Sequence, residues 1–590
     1  MRPSNKQIAH ILRSVAAVYE LKGANRFRII AYENAADAIE NLNRELADIW
    51  ENKELTKISG IGSSMSERLN EFFEKGDASY LVKTMHELPA PIFELMQVPG
   101  LGVKKAFKLV TNLKLEDSKD IFKDLVAKSK EGAIAPLESF GEKSQSEIIA
   151  AVELYEKSKG NADRMPLPVA HDLAIQVIEY VKKHPHVGEV EALGSLRRWV
   201  STIGDIDLVA IATEEHFSSV IEHFVKFPGA AKIEAQGDNK ASIILANGRR
   251  IDLRVVEKGV YGSMIQYFTG SKAHNIKLRE LALKKGYSIS EYGIGDKSEK
   301  GTTGRSRTFA SEKDFYEFLG VDWIPPEIRE GTSEVDVAIK HEIPDLVQVG
   351  DIKGDFHMHS NYDLNTSHDL GSGSVIEMAQ KAHLLGYEYI AISDHNPAQN
   401  VAEDKVIEIM KKRYEFIKSQ KTAVPCFVSL EIDITPSGEL ALPDEAFEYL
   451  DMCVVSLHSS FRQSRADMTK RVLKALSHEK VKIFGHPTGR QLGKRPEVDV
   501  DWTTVFKFCK EKNIALEINS WPERLDLPDM LVREAKEIGC KFTIDTDAHA
   551  VMQMDNMFYG VSVARRGWLD KDDIINTQSL KKVSEWIEGK

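Results

Sequence analysis

Leu193-Gly-Ser-Leu-Arg-Arg198, then Gly204-Asp-Ile-Asp207, then Arg250-Ile-Asp-Leu-Arg-Val255 are the three stretches that decide how this chain is read. Side chains alternate across a strand, so Asp205 and Asp207 share a face and Asp252 can join them from a neighbouring strand. Three carboxylates on one side of a sheet make a site for two hard divalent cations, Mg2+ or Mn2+. One ion would serve to activate a hydroxyl nucleophile, the other to hold a triphosphate and its pyrophosphate leaving group. Gly194 and Ser195 would bring a backbone and a hydroxyl to those phosphates, and Arg198 would add charge. A lone Asp-x-Asp is more often a solvated strand edge; the Gly-Ser pair upstream and Asp252 downstream argue against that here.

Around this centre, residues 165–256 mix helices with short strands predicted at Gly188–Ala192, Asp205–Ile211, Ala241–Leu245 and Arg250–Val255, which is an α+β unit. Upstream, from Asn5 to Lys130, apolar residues recur at three- and four-residue spacing, as in Ile8, Ile11, Leu12 and Val15, and predict an all-helical front end. Within it, Ile58-Ser-Gly-Ile-Gly62 and Val98-Pro-Gly-Leu-Gly102 are Gly-x-Gly turns leading into helices, the second followed by Lys104, Lys105 and Lys108. Gly60 and Gly62, like Gly100 and Gly102, let backbone approach a phosphate, which the N–H groups opening the next helix then bind without reading sequence. These turns resemble helix-hairpin-helix motifs. Ser139-Phe-Gly-Glu-Lys143 is a third candidate that lacks the first glycine.

Downstream, a Pro-containing stretch, Trp323 to Gly331, and a helix-like segment to about Gln348 read as a connector. From Gly354 onward, short apolar strands alternate with helical stretches: Tyr389–Ile392, Cys426–Ser429, Cys453–Ser456, Lys482–Phe484, Ala515–Ile518 and Lys541–Ile544. Metal-ligating residue types sit at strand ends: Asp355-Phe-His-Met-His-Ser360, Ser393-Asp-His395, Leu430-Glu-Ile-Asp433, Ser456-Leu-His-Ser459, Gly485-His-Pro487 and Thr546-Asp-Ala-His549. That is the end at which α/β barrels place their chemistry. One buried histidine is usually a core residue; six such motifs imply convergence on one face. Histidine, Asp and Glu together suit a cluster of Zn2+, Mn2+ or Fe2+.

The bulk properties bound the answer. At 590 residues several folding units are expected, and 42% hydrophobic with 28% charged residues is ordinary soluble composition. Residues 1–11 are polar and lack a secretory signal, so a cytoplasmic protein is expected, with no membrane partner. The four cysteines form no Cys-x-x-Cys pair, which excludes a disulfide framework and a thiolate zinc site. A net charge of −12 runs against the basic footprint of a nucleic-acid binder, but carboxylates gathered for cations can make the sum acidic while basic strips still face DNA.

The opening stretches resemble the nucleotidyltransferase signature. Tyr267-Phe-Thr-Gly-Ser-Lys-Ala-His-Asn-Ile-Lys-Leu-Arg279 resembles the nucleotide-selecting helix of family X DNA polymerases such as polymerase beta. That resemblance implies that Tyr267 and Phe268 crowd the sugar 2′ position, that Gly270 belongs to the nucleotide site, that Asn275 contacts the base edge and that Arg279 touches the template side. Ala24-Asn-Arg-Phe-Arg-Ile-Ile-Ala-Tyr32 is similar to that family's small N-terminal domain. Animal relatives use a lysine there as a Schiff-base nucleophile on a 5′-deoxyribose phosphate; the matching position is Arg68, whose permanent charge rules out that role. The histidine array resembles the polymerase and histidinol phosphatase (PHP) domain, with His357, His359, His395, Glu431, His458, His486, Asp547 and His549 at ligand positions. A ninth ligand is expected in the loop Asn361–Gly373, with Asp369 the choice and His368 or Asp363 the alternatives.

The fold class implied is multidomain: a helical helix-hairpin-helix front end, an α+β nucleotidyltransferase palm with a thumb, and a C-terminal α/β PHP domain in the form of a distorted barrel. The divisions fall at 1–85, a small DNA-binding domain; 86–160, a fingers-like helical domain; 161–260, the palm; 261–325, the thumb; 326–352, a linker; and 353–585, the PHP domain. The implied activity is gap-filling DNA synthesis in repair, by a monomer, on gapped or nicked duplex with deoxynucleoside triphosphates. A cluster of up to three ions in the back domain would add 3′-5′ exonuclease, 3′-phosphatase or abasic-site cleavage. Two alternatives stay open: a metal-dependent phosphoesterase whose front domains only deliver it, and a non-catalytic DNA-binding scaffold.

Overall fold

The structure, a computed structural model, describes residues 3, 5–40, 46–51, 53, 55–58, 61–76, 79–98, 101–158, 164–296 and 307–590. It divides into two compact units: Met1–Met165 with Val169–Leu193 and Ile203–Tyr261, and Pro166–Pro168 with Gly194–Thr202 and Gly262–Lys590.

The first unit begins with helices Asn5–Leu21 and Arg26–Glu40. Ile8, Leu12 and Val15, at helical spacing, are fully buried. Each such side chain contributes about 1.5–3 kcal/mol, so the packed face rather than intrinsic propensity holds the helix. The predicted turns open helices Ser63–Lys75 and Val103–Asn112, with Gly62 and Gly102 as extended N-cap residues. Gly60 and Gly100 lie outside the described residues.

The same unit carries a five-stranded sheet in the order Val190–Ala192, Ile206–Ile211, Arg250–Val256, Lys240–Leu245, Ala230–Gln236. Only the pair Ile206–Ile211 and Arg250–Val256 runs parallel; its neighbours are antiparallel. Buried Ile206, Leu208 and Ala210 alternate with the functional face that carries Asp207.

In the second unit, helices Lys272–Lys284 and Glu312–Phe318 start at Ser271 and Ser311, whose side chains accept the N–H groups of His274 and Asp314. The segment read as a connector is not a free tether. Ile324, Ile328, Val335, Ala338 and Leu346 share one apolar core with Leu278, Phe315 and Trp568, because its apolar residues outweigh its prolines. At the centre of this region Glu312 accepts from Arg197 (2.8 Å) and from fully buried Arg329 (2.6 Å).

Burial alone would raise the Glu312 pKa, but Arg329 and Arg197 hold it down to about 2. A depressed carboxylate stabilises the fold above its unfolded pKa and loses that contribution as pH falls through the folded value. The stability it adds is therefore complete above pH ~4.5 and lost on acidification toward pH ~2. Glu312→Ala leaves Arg329 buried without its carboxylate and is expected to cost about 3–5 kcal/mol. A lowered denaturant midpoint at neutral pH, with the gap to wild type closing in acid, is the check.

The rest of the second unit is an α/β barrel of two parallel sheets. One is Gly354–Asp355, Tyr389–Ile392, Cys426–Val428; the other is Glu431–Asp433, Cys453–Ser456, Val481–Phe484, Ala515–Asn519, Phe542–Asp545. Parallel bridges His395–Glu431 and Met358–Ala548 join the two sheets at both edges and close the barrel. Its interior includes Phe356, Tyr389, Val454, Ile483 and Ala515. The loops after the strands therefore gather at one end.

Candidate active sites

The first site lies on the five-stranded sheet of the first unit. Asp207 stands directly opposite Asp252 in the parallel register, and Asp205 precedes the strand by one residue, on the Asp207 side of the pleat. Asp252 is buried and accepts from Arg250 Nε at 3.1 Å, an arginine that also pairs with Glu234 at 3.2 Å. Burial, then Asp205, then Asp252 push the Asp207 carboxyl up to about 6. Crowded like charge of this kind is what a divalent cation relieves. The three aspartates predicted as ligands are thus brought together, and the donor set fits Mg2+ or Mn2+.

The residues expected to select the nucleotide belong to the second unit. Tyr267 and Phe268 sit edge to face with centroids 5.1 Å apart, and the Arg279 guanidinium lies 5.2 Å from the Tyr267 ring centroid. Asn275 donates from Nδ2 to the Tyr267 carbonyl (2.7 Å) and accepts from Gln266 (3.1 Å). Gly194 and Gly270 have φ of 60° and 65°, and a Cβ on Gly270 would come within 3.3 Å of Arg198 Nη1, so the turn at 270 needs glycine. Ser195 lies in the short helix Gly194–Arg197.

In the front helices, a Cβ on Gly62 or Gly102 would meet nothing within 4 Å, and neither has positive φ. Internal packing gives no reason for glycine at either position; a close external ligand would. Lys104 is exposed and 3.7 Å from Glu20, and Lys105 follows it on the opening turn. Arg68 stacks its guanidinium over Tyr80 at 4.1 Å, and the Tyr80 and Tyr19 hydroxyls are 2.6 Å apart.

The third constellation is at the strand-end face of the barrel. Glu431, fully buried, has five histidines within 3.6 Å: His395 (2.9 Å), His486 (2.8 Å), His357 (3.2 Å), His458 (3.3 Å) and His359 (3.6 Å). Asp547 lies 3.1 Å from His359, and the His549 ring stacks on His359 with centroids 4.0 Å apart. Groups able to hold an ion are His357, His359, Asp547; His359, His395, His549; His395, Glu431, His458; and His368, Asp433, His458. Buried His359 Nδ1 and His486 Nδ1 have no hydrogen-bond partner, and Glu431 Oε2 has only His357 Nε2 and His395 Nδ1 beside it, in poor hydrogen-bond geometry. Orphaned lone pairs on this scale are costly without cations, so the residues fit the ions that the fold implies.

Charge is divided unevenly across these rings. Burial and then neighbouring His549 and His395 push His359 well below the usual value, and burial with Arg524 takes His486 to about 3. Both are neutral, the form in which an imidazole donates a lone pair. Burial opposes charge on His357 too, but Glu517, Glu431 and Asp547 overcome it and hold its pKa well above the ordinary value.

Two participants were assigned no role from the sequence: Glu517, and Asp433 at the end of the Leu430–Asp433 motif. Glu517, in the middle of an apolar strand, accepts from His357 Nδ1 at 2.6 Å and orients the ring. Asp433, on the Glu431 face of its strand, holds His458 Nδ1 at 2.7 Å and His368 Nε2 at 3.0 Å. An acid in an otherwise buried strand was the available signal for both. Of the residues expected to supply the ninth ligand, His368 places its ring centroid 4.9 Å from that of His395, Asp369 lines the same cavity, and Asp363 caps its own loop. The cavity, about 500 Å³, is also lined by Trp521, Gln491 and Arg524. Losing the outer carboxylate loosens the ligand it orients, so Glu517→Gln is expected to weaken Mn2+ or Zn2+ binding about 10–100-fold. Calorimetric titration of metal-stripped protein reads this directly.

Desolvation raises the Cys426 thiol to about 12 and the Cys540 thiol to about 11, and neither lines the cavity of the histidine cluster. Among the described residues no helix is long and apolar enough to cross a membrane.

Comparison with known proteins follows the same division. The helix-hairpin-helix domain family matches residues 3–78, the DNA polymerase beta thumb family residues 264–330, and the PHP domain family residues 355–521. A protein of Bacillus subtilis strain 168 named DNA polymerase/3′-5′ exonuclease PolX is 35% identical over 588 residues, covering 99% of each chain. A probable phosphatase of Thermoanaerobacter sp. strain X514 is 24% identical over 242 residues, 38% of this chain and 93% of its own. A probable phosphatase of Aliivibrio fischeri strain ES114 is 24% identical over 236 residues, 36% of this chain and 89% of its own. With a carboxylate triad on a nucleotidyltransferase sheet, a polymerase beta thumb and a histidine cluster in a PHP barrel, matched end to end by such a relative, the chain belongs to the family X DNA polymerases that carry a PHP domain.

Proposed function

We propose that this polymerase fills short gaps in DNA at Asp205, Asp207 and Asp252 and trims 3′ ends at the histidine cluster. The observation that carries the reading is that each site holds a full set of ligands of its own, the paired Asp207 and Asp252 in one and Glu431 with its five histidines in the other. Divalent ions bound there would lower the pKa of the attacking oxygen and neutralise phosphate charge. The protein's own part is positioning. Gly194, Ser195 and Arg198 hold the triphosphate; Tyr267 and Phe268 restrict the sugar; Asn275 and Arg279 read the base and template sides. The turns at Gly60–Gly62 and Gly100–Gly102, with Lys104 and Lys105, hold the DNA backbone.

In the barrel, His357, His359, His368, His395, Glu431, His458, His486, Asp547 and His549 hold the ions. Zn2+, Mn2+ and Fe2+ all suit this set of nitrogen and oxygen donors. Arg524, 3.7 Å from Asp547 and with a buried Nη1 that has no partner, is placed to bind the phosphate of the leaving nucleotide. Trp521 at the same cavity offers a stacking face for its base.

The test is a one-nucleotide-gapped duplex labelled on the primer, incubated with Mg2+ or Mn2+. Extension when deoxynucleotides are present and stepwise shortening when they are withheld support the reading. Shortening without any extension would overturn the polymerase half and leave a phosphoesterase that the front domains deliver to DNA.

A further inference from the structure

Arg566 ends the barrel helix Met557–Arg566, yet its partners lie far away in sequence. Its Nη1 donates to the Arg198 carbonyl (2.8 Å), the Glu327 carbonyl (3.2 Å) and Glu330 Oε1 (2.8 Å), while Nε donates to Asp529 (2.8 Å). The same Glu330 oxygen accepts from Arg198 Nε at 3.3 Å. Arg198 also donates from Nη1 to the carbonyl of Thr269, which joins the nucleotide-selecting stretch. All of these residues fall within the second compact unit. The side chain of Arg566 is 7% exposed, so the contact is built into the fold rather than a chance surface pairing.

From these contacts the geometry points to Arg566, on a helix of the barrel, as a positioning residue for nucleotide binding by the polymerase. It fixes the Arg198 backbone directly and the Arg198 side chain through their shared carboxylate. A guanidinium presents donors in a rigid fork, which lets one residue engage a carbonyl and a carboxylate together. Without it, Arg198 is the one cation left beside Glu330 among the described residues, and the carboxylate then competes with an incoming triphosphate for that guanidinium. The hydrolase domain thereby helps to set how tightly the polymerase holds its substrate. The inference rests on the reading of Arg198 as a triphosphate ligand.

The experiment is steady-state insertion of one deoxynucleotide on a one-nucleotide-gapped duplex by the full chain. Arg566→Ala is expected to raise KM for the deoxynucleotide about 10–100-fold, the scale of one or two charged hydrogen bonds, with kcat within about twofold. Arg566→Lys restores part of the loss, and 3′ shortening is unchanged in both. Adding Arg566→Ala to Arg198→Ala raises KM no further than Arg198→Ala alone, since the effect runs through that side chain.

Glu330 and Asp529 are 34% and 24% exposed, so water can solvate them when Arg566 is removed, and the variant should fold. If its melting temperature falls steeply, Arg566→Lys carries the test by the same split of KM from kcat. An unchanged KM in Arg566→Ala while Arg198→Ala raises it overturns the inference alone. An unchanged KM in Arg198→Ala overturns the reading of Arg198 and the inference with it. A fall in kcat with no change in KM assigns Arg566 a merely structural role and also overturns it.

Discussion

Asp207→Ala in the full chain is expected to abolish nucleotide insertion, with kcat/KM down at least about a thousandfold, while 3′ shortening continues at the wild-type rate. The size follows from the site. Asp207 is the middle carboxylate of three, paired in register with Asp252, and its removal would take away one of the three side chains that would hold the divalent ions. A loss of about 4 kcal/mol in transition-state stabilisation is roughly a thousandfold in rate. The same substitution should not destabilise the fold in the absence of cations. Burial and the charges of Asp205 and Asp252 make the ionised Asp207 unfavourable where it stands, so alanine relieves repulsion as it removes function. Primer-extension kinetics beside thermal melting, with and without Mg2+, separate the two effects. Residual insertion within tenfold of wild type would show that catalysis does not depend on this carboxylate.

His357→Ala is expected to give the opposite pattern: 3′ shortening lost by about a thousandfold or more, gap filling retained. His357 is fully buried, faces Glu431 at 3.2 Å and Asp547 at 3.8 Å, and is oriented from behind by Glu517. Its removal would open the coordination set and leave Glu517 Oε1 without the ring it orients, while Oε2 keeps the His486 N–H and Asn519, so occupancy is expected to fall as well as rate. Release of nucleoside monophosphate from an unextended primer measures the activity, and metal content after dialysis measures occupancy. If shortening persists in His357→Ala and fails in Asp207→Ala, the division of labour between the sites is wrong. Together the two variants make a crossed pair, in which each abolishes one activity and spares the other.

How far the chain could be read in advance depended on how local the information was. Asp205, Asp207 and Asp252 were legible because strand alternation is a backbone property: a two-residue spacing puts two carboxylates on one face whatever lies around them. The barrel ligands were legible because a strand end is a fixed address in a βα repeat, and six such addresses carried His, Asp or Glu. Glu517 and Asp433 were present in the same strands, but an acid within a strand acquires a role only when its cross-barrel neighbour is known, and those neighbours are His357 and His368. Between His368 and Asp369 no period chooses; that the histidine lies against Asp433 follows from the loop path past Thr366 and Pro397, which only the fold shows.

The segment after Trp323 read as a connector because prolines interrupt it, yet its isoleucines and valines enter a core completed by Trp568. Arg566 reads locally as an ordinary cation at a helix C-terminus, and its link to Arg198 spans 368 residues. Sequence by itself determined which chemistry the chain carries, because ligand type and local spacing are encoded side by side along the backbone. Only the tertiary structure decided which second residues steady those ligands and which parts of the second unit lean on one another, because burial and long-range pairing are properties of the folded chain alone.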